Sequence, residues 1–127
     1  MTAIGVSGDR LREDRLREDR LFSALANSTR REVLRLLRVE GPQPVQRLAD
    51  RFDMRRPSLS EHLKVLREAG LVSERRMGRE RHYRLEAGPL SEVHDWLSPY
   101  ERFWREAVGD LGDLRGLLGG EAGESRA

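Results

Sequence analysis

The middle of this chain carries a local excess of cationic side chains. Residues 55–85 hold nine Lys or Arg against four Glu, a net charge of +5, whereas residues 86–127 hold four Arg against nine Asp or Glu, a net charge of −5. The whole chain of 127 residues has a net charge of only +2, so the clustering is more informative than the total. Guanidinium and ammonium groups donate to phosphate, and arginine can also pair with two acceptors on a guanine edge. This chemistry predicts that residues 55–85 meet a nucleic acid.

An amphipathic helix is predicted to position the first of these cations. Leu59, Leu63 and Leu66 recur at i, i+4 and i+7, so one stripe of a helix over residues 57–69 can be buried while its other face remains outside. Gly70 can then adopt the left-handed conformation that ends a helix.

The pattern changes after this helix to a period of two. Residues 71–76 and 80–85 alternate as a pair of strands requires, and Gly78 lies in the turn between them. A recognition helix followed by a hairpin is the element order of a winged helix-turn-helix. The fold class predicted is therefore mainly α with a two-stranded β wing, and the predicted partner is double-stranded DNA.

The side chains predicted to contact DNA fall into two sets. Those at the start and on the outer face of the helix are Arg55, Arg56, Ser58, Ser60, Glu61, His62 and Lys64, and those on the hairpin are Arg75, Arg76, Arg79 and Arg81. Glu61 could accept from a cytosine amino group or could simply pair with a neighbouring cation. His62 lies beside the apolar stripe, which is more typical of a residue at the edge of a core. Tyr83 is predicted to pack on the core.

Two shorter helices are predicted before the recognition helix. Asn27 is a good N-cap for the first of them, which Gly41 and Pro42 stop. The second helix begins with Pro44 at its first position and extends through Phe52. With the recognition helix and the hairpin, they complete a DNA-binding core assigned to residues 21–88.

The chain begins with a charged extension over residues 1–20. Residues 1–8 are predicted to be disordered, and residues 9–20 form a tandem five-residue repeat of Arg, Asp, Glu and Leu. Its charges pair at i, i+4, and such pairs support a helix by only ~0.2–0.5 kcal/mol each. The repeat is therefore predicted to be a solvated, fraying helix.

A dimerisation helix is predicted over residues 89–118, followed by a disordered tail at 119–127. Apolar residues from Val93 to Leu118 alternate spacings of four and three, and a seam of this kind requires a partner helix. Pro99 predicts a break or kink within it. The residues predicted at the dimer interface are Leu21, Phe22 and Leu25 of the first helix, and Val93, Trp96, Leu97, Tyr100, Phe103, Trp104 and Leu111 of the last.

Three segments together resemble the ArsR/SmtB family of winged-helix repressors. They are residues 24–31 (ALANSTRR), residues 54–72 (MRRPSLSEHLKVLREAGLV) and residues 78–85 (GRERHYRL). Residues 96–104 (WLSPYERFW) are similar to a branch of the family that lacks the thiol metal site. The resemblance spans about residues 20–118 and implies a homodimer, paired through its first and last helices, that represses transcription from a palindromic operator.

The chain departs from the family pattern at two positions of the recognition segment. Arg55 stands where relatives usually have a small hydroxyl cap, and Glu61 stands where they usually have Gln. Base preference at these two positions therefore cannot be taken from the resemblance.

The composition argues against metal sites and enzyme chemistry. The chain has no cysteine, which excludes disulfides, thiolate zinc sites and cysteine nucleophiles. His94 and Asp95 stand alone, and one imidazole with one carboxylate completes no tetrahedral site. The histidines His62, His82 and His94 lie on three different predicted elements with no nucleophile motif nearby. We therefore predict no metal, no cofactor and no enzymatic activity.

Other interpretations of the sequence remain open. The chain could be a winged-helix module that binds a protein, or a metal-responsive repressor, and a small apolar effector could bind between paired helices. No apolar run approaches the ~20 residues of a membrane span, and no secretion signal precedes the charged repeat. The expected location is the cytoplasm.

Overall fold

The computed structural model describes residues 2–110 of the chain and the side chains of residues 8–107. Within this part the elements run, in order, α1 (Thr2–Leu25), α2 (Ser28–Glu40), β1 (Gln43–Pro44), α3 (Val45–Ala49), α4 (Arg56–Glu68), β2 (Val72–Met77), β3 (Glu80–Leu85), α5 (Leu90–Leu97), a 3-10 turn (Ser98–Tyr100) and α6 (Glu101–Asp110). The chain divides into two compact units after Glu92, within α5.

Local capping explains where α2 begins and ends. The Asn27 side chain accepts a hydrogen bond from the backbone N–H of Arg30, which satisfies one of the free donors of the first turn. At the other end Gly41 has a φ of +84°, and its N–H donates to the carbonyl of Leu37. Both boundaries agree with those predicted from the sequence.

The core of the first unit consists of leucines from α1, α2, α3 and α4 together with the base of the hairpin. The buried apolar side chains among the described residues are Leu21, Ala24, Val33, Leu34, Leu36, Leu37, Leu48, Leu59, Leu63, Leu66, Leu71, Val72 and Tyr83. Close packing of these side chains fixes α4 against α1 and α2, and so determines which of its faces stays outside.

A bidentate ion pair ties the segment after α3 to the end of α2. Arg51 donates to both carboxylate oxygens of Glu40, at 2.8 and 2.7 Å. The hydrogen bond from Arg51 lowers the pKa of Glu40, because it stabilises the charged form. Helix α3 itself ends at Ala49, earlier than the Phe52 predicted from the sequence.

The hairpin belongs to a sheet of three strands, not two. Its antiparallel strands pair from Val72 opposite Leu85 to Met77 opposite Glu80, and Gly78 occupies the turn with a φ of +65°. The two-residue strand β1 adds to the other edge of β3, with Gln43 opposite Tyr83. Sequence reasoning missed β1, because two residues show no alternation and Pro44 looks like the start of a helix.

Helix α1 also differs from the prediction. The structure forms one continuous helix from Thr2 to Leu25, where disorder was predicted for residues 1–8. The side chains of residues 8–20 are exposed, apart from that of Glu18, which is half-buried. Leu21, which was predicted at the dimer interface, is 1% exposed within its own chain and packs in the core of the first unit.

The second unit contains the end of α5, the 3-10 turn and α6. The turn at Ser98–Tyr100 contains Pro99, whose missing N–H and fixed φ interrupt a continuous helix. A break at this proline was expected from the sequence. Residues 111–127, including the predicted interface residue Leu111 and the predicted tail at 119–127, lie outside the described residues.

Candidate DNA interface

Helix α4 presents a buried face and a polar outer face. Leu59, Leu63 and Leu66 are 1%, 1% and 0% exposed, as the i, i+4, i+7 spacing predicted. Six of the side chains predicted to contact DNA are exposed at the start or on the outer face of α4. They are Arg55, Arg56, Ser58, Ser60, Glu61 and Lys64. Gly70 closes the helix with a φ of +78°, and the N–H of Leu71 donates to the carbonyl of Leu66.

The cations of α4 are not engaged by the protein within residues 8–107. Arg55 is the N-cap residue and makes no side-chain capping bond, while its carbonyl accepts from the N–H groups of Ser58 and Leu59. The side chains of Arg55, Arg56 and Lys64 form no ion pair or hydrogen bond in this part of the chain. Their charges are therefore available to an external anion, and those of Arg55 and Arg56 lie next to the positive end of the helix dipole.

Glu61 likewise has no partner among the side chains that the structure describes. The alternative in which it pairs with a neighbouring Arg or with Lys64 has no contact to support it. An exposed carboxylate in a row of cations can still accept a hydrogen bond from the amino group of cytosine.

The wing places arginines on both faces of the hairpin. Arg76 lies opposite Arg81 on one face, and Arg75 lies opposite His82 on the other. Arg76 donates weakly to the carbonyl of Gly78, at 3.4 Å. All four arginines predicted to contact DNA, which are Arg75, Arg76, Arg79 and Arg81, are exposed.

The four wing arginines differ in how strongly the protein holds them. Arg81 lies 3.9 Å from a carboxylate oxygen of Glu74, an oxygen that Arg67 also approaches at 3.7 Å. Arg75 and Arg79 form no ion pair with any described side chain. These two are the wing cations most readily available to phosphate.

Tyr83 anchors the base of the wing in the core. Its ring is buried, as predicted, and Glu74 lies directly opposite it on β2. Burial raises the pKa of Tyr83, and a hydrogen bond to Glu74 raises it further, because both favour the protonated hydroxyl.

His62 is tied to the protein, unlike its neighbours on the outer face of α4. Its Nδ1 lies 3.2 Å from Nη1 of Arg30, a residue of α2. Sequence reasoning did not identify Arg30 as part of this site, because no periodicity connects two residues that lie on different helices. The ring is half-buried, in agreement with a place at the edge of the core.

Known proteins similar to this chain indicate its family. A helix-turn-helix family model matches residues 25–75, which run from the end of α1 into β2. The transcriptional regulator Rv2034 of Mycobacterium tuberculosis is 40% identical over 68% of this chain and 78% of its own length. The crystal structure of an ArsR family transcriptional regulator is 36% identical, with a TM-score of 0.63 over 70% of this chain and 91% of that one.

The chain belongs to the ArsR/SmtB family. It is a DNA-binding transcriptional regulator with a winged helix-turn-helix fold. Another similar structure, a winged helix-turn-helix DNA-binding domain from Mycobacterium bovis that is described as homodimeric, is 27% identical, with a TM-score of 0.60 over 78% of this chain and 91% of that one.

This ArsR/SmtB regulator also exposes an aromatic surface on its second unit. Trp96, Tyr100, Phe103 and Trp104 are 48%, 47%, 66% and 44% exposed, and Leu97 is exposed beside them. The rings of Trp96 and Tyr100 lie 5.2 Å apart, and those of Tyr100 and Phe103 lie 6.4 Å apart. We call these five side chains the aromatic surface. Such a contiguous apolar patch is typical of an interaction site.

Neither a metal cluster nor a membrane helix is present in the part of the chain that the structure describes. No three His, Asp or Glu side chains within it converge as metal ligands. His94 contacts Asp95 at 3.4 Å, and both are exposed. No described helix is both long and apolar enough to span a bilayer.

Proposed function

We propose that this regulator is a cytoplasmic homodimeric repressor, without enzymatic activity, that binds a palindromic operator through α4 and the wing. The observation that carries the proposal is the row of exposed cations on α4, where Arg55, Arg56 and Lys64 have no partner among the described side chains. Unpaired cations beside a helix N-terminus are suited to phosphate, and a helix of this width fits the major groove.

The wing extends the same cationic surface. Arg75 and Arg79 would bind phosphate or enter the minor groove next to the site of α4, since the hairpin follows that helix directly. Such contacts position the protein on the duplex, whereas Ser58, Ser60 and Glu61 on α4 would read base edges.

A homodimer would bury the aromatic surface. The similar domain from Mycobacterium bovis is described as homodimeric, which supports the same assembly for this chain. Phe22 and Leu25 of α1 and Val93 of α5 are half-buried, and we include them among the proposed interface residues. Two-fold symmetry then places the two α4 helices on half-sites about one helical turn apart, ~34 Å, and so predicts a palindrome.

Binding to duplex DNA as a function of salt tests this proposal. Fragments of the source genome selected by the purified protein provide the operator, and its affinity is measured between low and physiological salt. We expect a steep fall on a log–log plot, because each neutralised phosphate contributes about 0.9 to the slope. Addition of the protein to a transcription reaction from the same operator should lower the amount of transcript.

Paired variants locate the contact. Replacing Arg55 and Arg56 by Ala should weaken binding to the operator and reduce the salt slope. Replacing Arg12 and Arg15 by Ala removes the same charge from the exposed half of α1, and it should change neither the affinity nor the salt slope. A flat salt dependence of the unmodified protein would contradict the proposal and would favour a winged-helix module that binds proteins.

A further inference from the structure

Arg30 connects three helices of the DNA-binding unit. Its Nε donates to the carbonyl of Ala24 at 2.9 Å, and its Nη2 donates to the carbonyl of Ser23 at 2.8 Å, both at the end of α1. Its Nη1 contacts Nδ1 of His62 on α4 at 3.2 Å. The backbone N–H of Arg30 is itself held by the Asn27 cap at 3.1 Å. Arg30 is thus held at its backbone N–H and at its guanidinium group, and the same guanidinium contacts α4.

This contact sets the role of one ring nitrogen of His62. A guanidinium has only donors, so Nδ1 accepts from Nη1 of Arg30, and the ring proton of this tautomer is on Nε2. A second proton on Nδ1 would place two donors and two positive charges against each other.

We propose that Arg30 is a positioning residue for DNA recognition, which acts by holding α4 through its contact with His62. The last carbonyls of α1 orient the guanidinium, and the guanidinium orients the helix that carries Arg55, Arg56 and Lys64. His62 then has a positioning role in place of the DNA contact predicted from the sequence. This inference rests on the proposed binding of DNA by α4.

Acidification distinguishes a positioning role of His62 from a phosphate contact. If His62 touched phosphate, protonation would add a positive charge and would strengthen binding as the pH falls. If His62 holds Arg30, protonation breaks the contact and weakens binding as the pH falls through the range in which histidine gains its proton.

Among the charged side chains that the structure describes, Arg30 is the one that contacts His62. Arg30 approaches the ring from α2, and α1 contributes the carbonyls of Ser23 and Ala24 to the same guanidinium. Glu61 and Lys64 flank His62 along α4. Asp19, Arg20 and Glu68 line a groove beside Val65 of the same helix. None of them forms a hydrogen bond or ion pair with His62 within residues 8–107.

Operator affinity measured from about pH 8 to about pH 5.5 tests the proposal, since histidine titrates within this interval. His62→Asn keeps an acceptor, Oδ1, at the place of Nδ1 and does not titrate. His62→Leu has a similar size but no acceptor. His82→Asn is the matched control, because it makes the same replacement on the wing and leaves the contact of Arg30 with His62 in place.

We expect the unmodified protein to lose affinity about tenfold on acidification, the range of a hydrogen bond to a charged group. His62→Asn should match the unmodified protein at pH 8 and should lose much less on acidification. At both ends of the range, His62→Leu should bind about tenfold more weakly than the unmodified protein binds at pH 8. Its salt slope should be unchanged, because the same phosphates are neutralised. His82→Asn should keep the acid sensitivity. Thermal unfolding of each variant separates loss of positioning from loss of fold.

Three results would overturn the inference. Affinity that rises on acidification and no longer does so in His62→Asn would show a direct phosphate contact. Normal operator binding by folded His62→Leu would show that the link positions nothing. Failure of the unmodified protein to bind any duplex at pH 8 would remove the proposed function and this inference together.

Discussion

At the residue scale, Glu61 is the side chain that fits a phosphate-binding surface least. It is exposed on α4 among cations, and it has no partner within the described residues. We expect Glu61→Gln to change the base preferred at one position of each half-site, because a carboxylate accepts from the cytosine amino group whereas an amide pairs with adenine. Selection of operator variants by the mutant checks this.

The control for Glu61 is another exposed carboxylate of the same helix. Glu68→Gln removes the same charge near the end of α4 and should leave base preference unchanged. If Glu61→Gln instead strengthened binding to every sequence equally, the carboxylate would only temper the charge of its neighbours and would read no base.

Tyr83 should make stability sensitive to alkaline pH. Its folded-state pKa is raised by burial and by the hydrogen bond to Glu74, so the folded state favours the protonated hydroxyl. This contribution is fully present below the unfolded-state pKa of about 10 and is lost as the pH rises toward the folded-state value. The free energy of unfolding, measured by urea titration from about pH 8 to about pH 11, should therefore fall above about pH 10.

A tyrosine variant isolates this effect. Tyr83→Phe should flatten the alkaline decline, because it removes the hydroxyl that the folded state keeps protonated. An alkaline decline that persists in Tyr83→Phe would mean that other groups cause it.

At the element scale, we expect the wing to position the protein on DNA without reading bases. Arg79 lies in its turn and has no ion pair among the described residues. We expect Arg79→Ala to weaken all operator variants about equally and to reduce the salt slope by about 0.9 for each phosphate that is no longer neutralised. Affinity measured at several salt concentrations on two operator variants checks this.

The comparison for the wing is a cation elsewhere on the molecule. Arg12→Ala changes the net charge by the same amount on the exposed part of α1, so it should leave the slope as it is. A weakening confined to one operator variant in Arg79→Ala would instead assign Arg79 to base reading.

At the scale of the whole molecule, the aromatic surface should determine assembly. Trp104 is 44% exposed in the single chain. A two-fold dimer would bury the Trp104 side chain of each protomer, and this burial would stabilise the dimer. Truncating a packed aromatic to Ala costs ~3–5 kcal/mol. We expect Trp104→Ala to convert the dimer to monomer or unfolded chain and operator affinity to collapse, since a single α4 loses the second half-site.

Sedimentation of both proteins at micromolar concentration measures this change. Val39→Ala is the matched variant, because Val39 is also a large exposed apolar residue but lies at the end of α2. It should remain dimeric and bind the operator normally. A stable monomer of the unmodified protein, or a Trp104→Ala dimer with normal affinity, would refute this role of the aromatic surface.

The sequence by itself determined the features that depend on near neighbours. The leucine stripe of α4, the Asn27 cap, the left-handed Gly70 and the turn at Gly78 each depend on residues within about two helical turns. The break at Pro99 follows from the covalent geometry of proline. Local sterics and periodicity are sufficient for these, so they agree with the structure.

Only the tertiary structure decided the features that join distant segments. Strand β1 exists because Gln43 and Pro44 pair with the edge of β3 that β2 leaves open. Leu21 belongs to the core because α1 packs against α2 and α4. Arg30 meets His62 because packing brings α2 against α4, across 32 positions of sequence. No local pattern encodes such contacts, since they arise from how whole helices bury their apolar faces against one another.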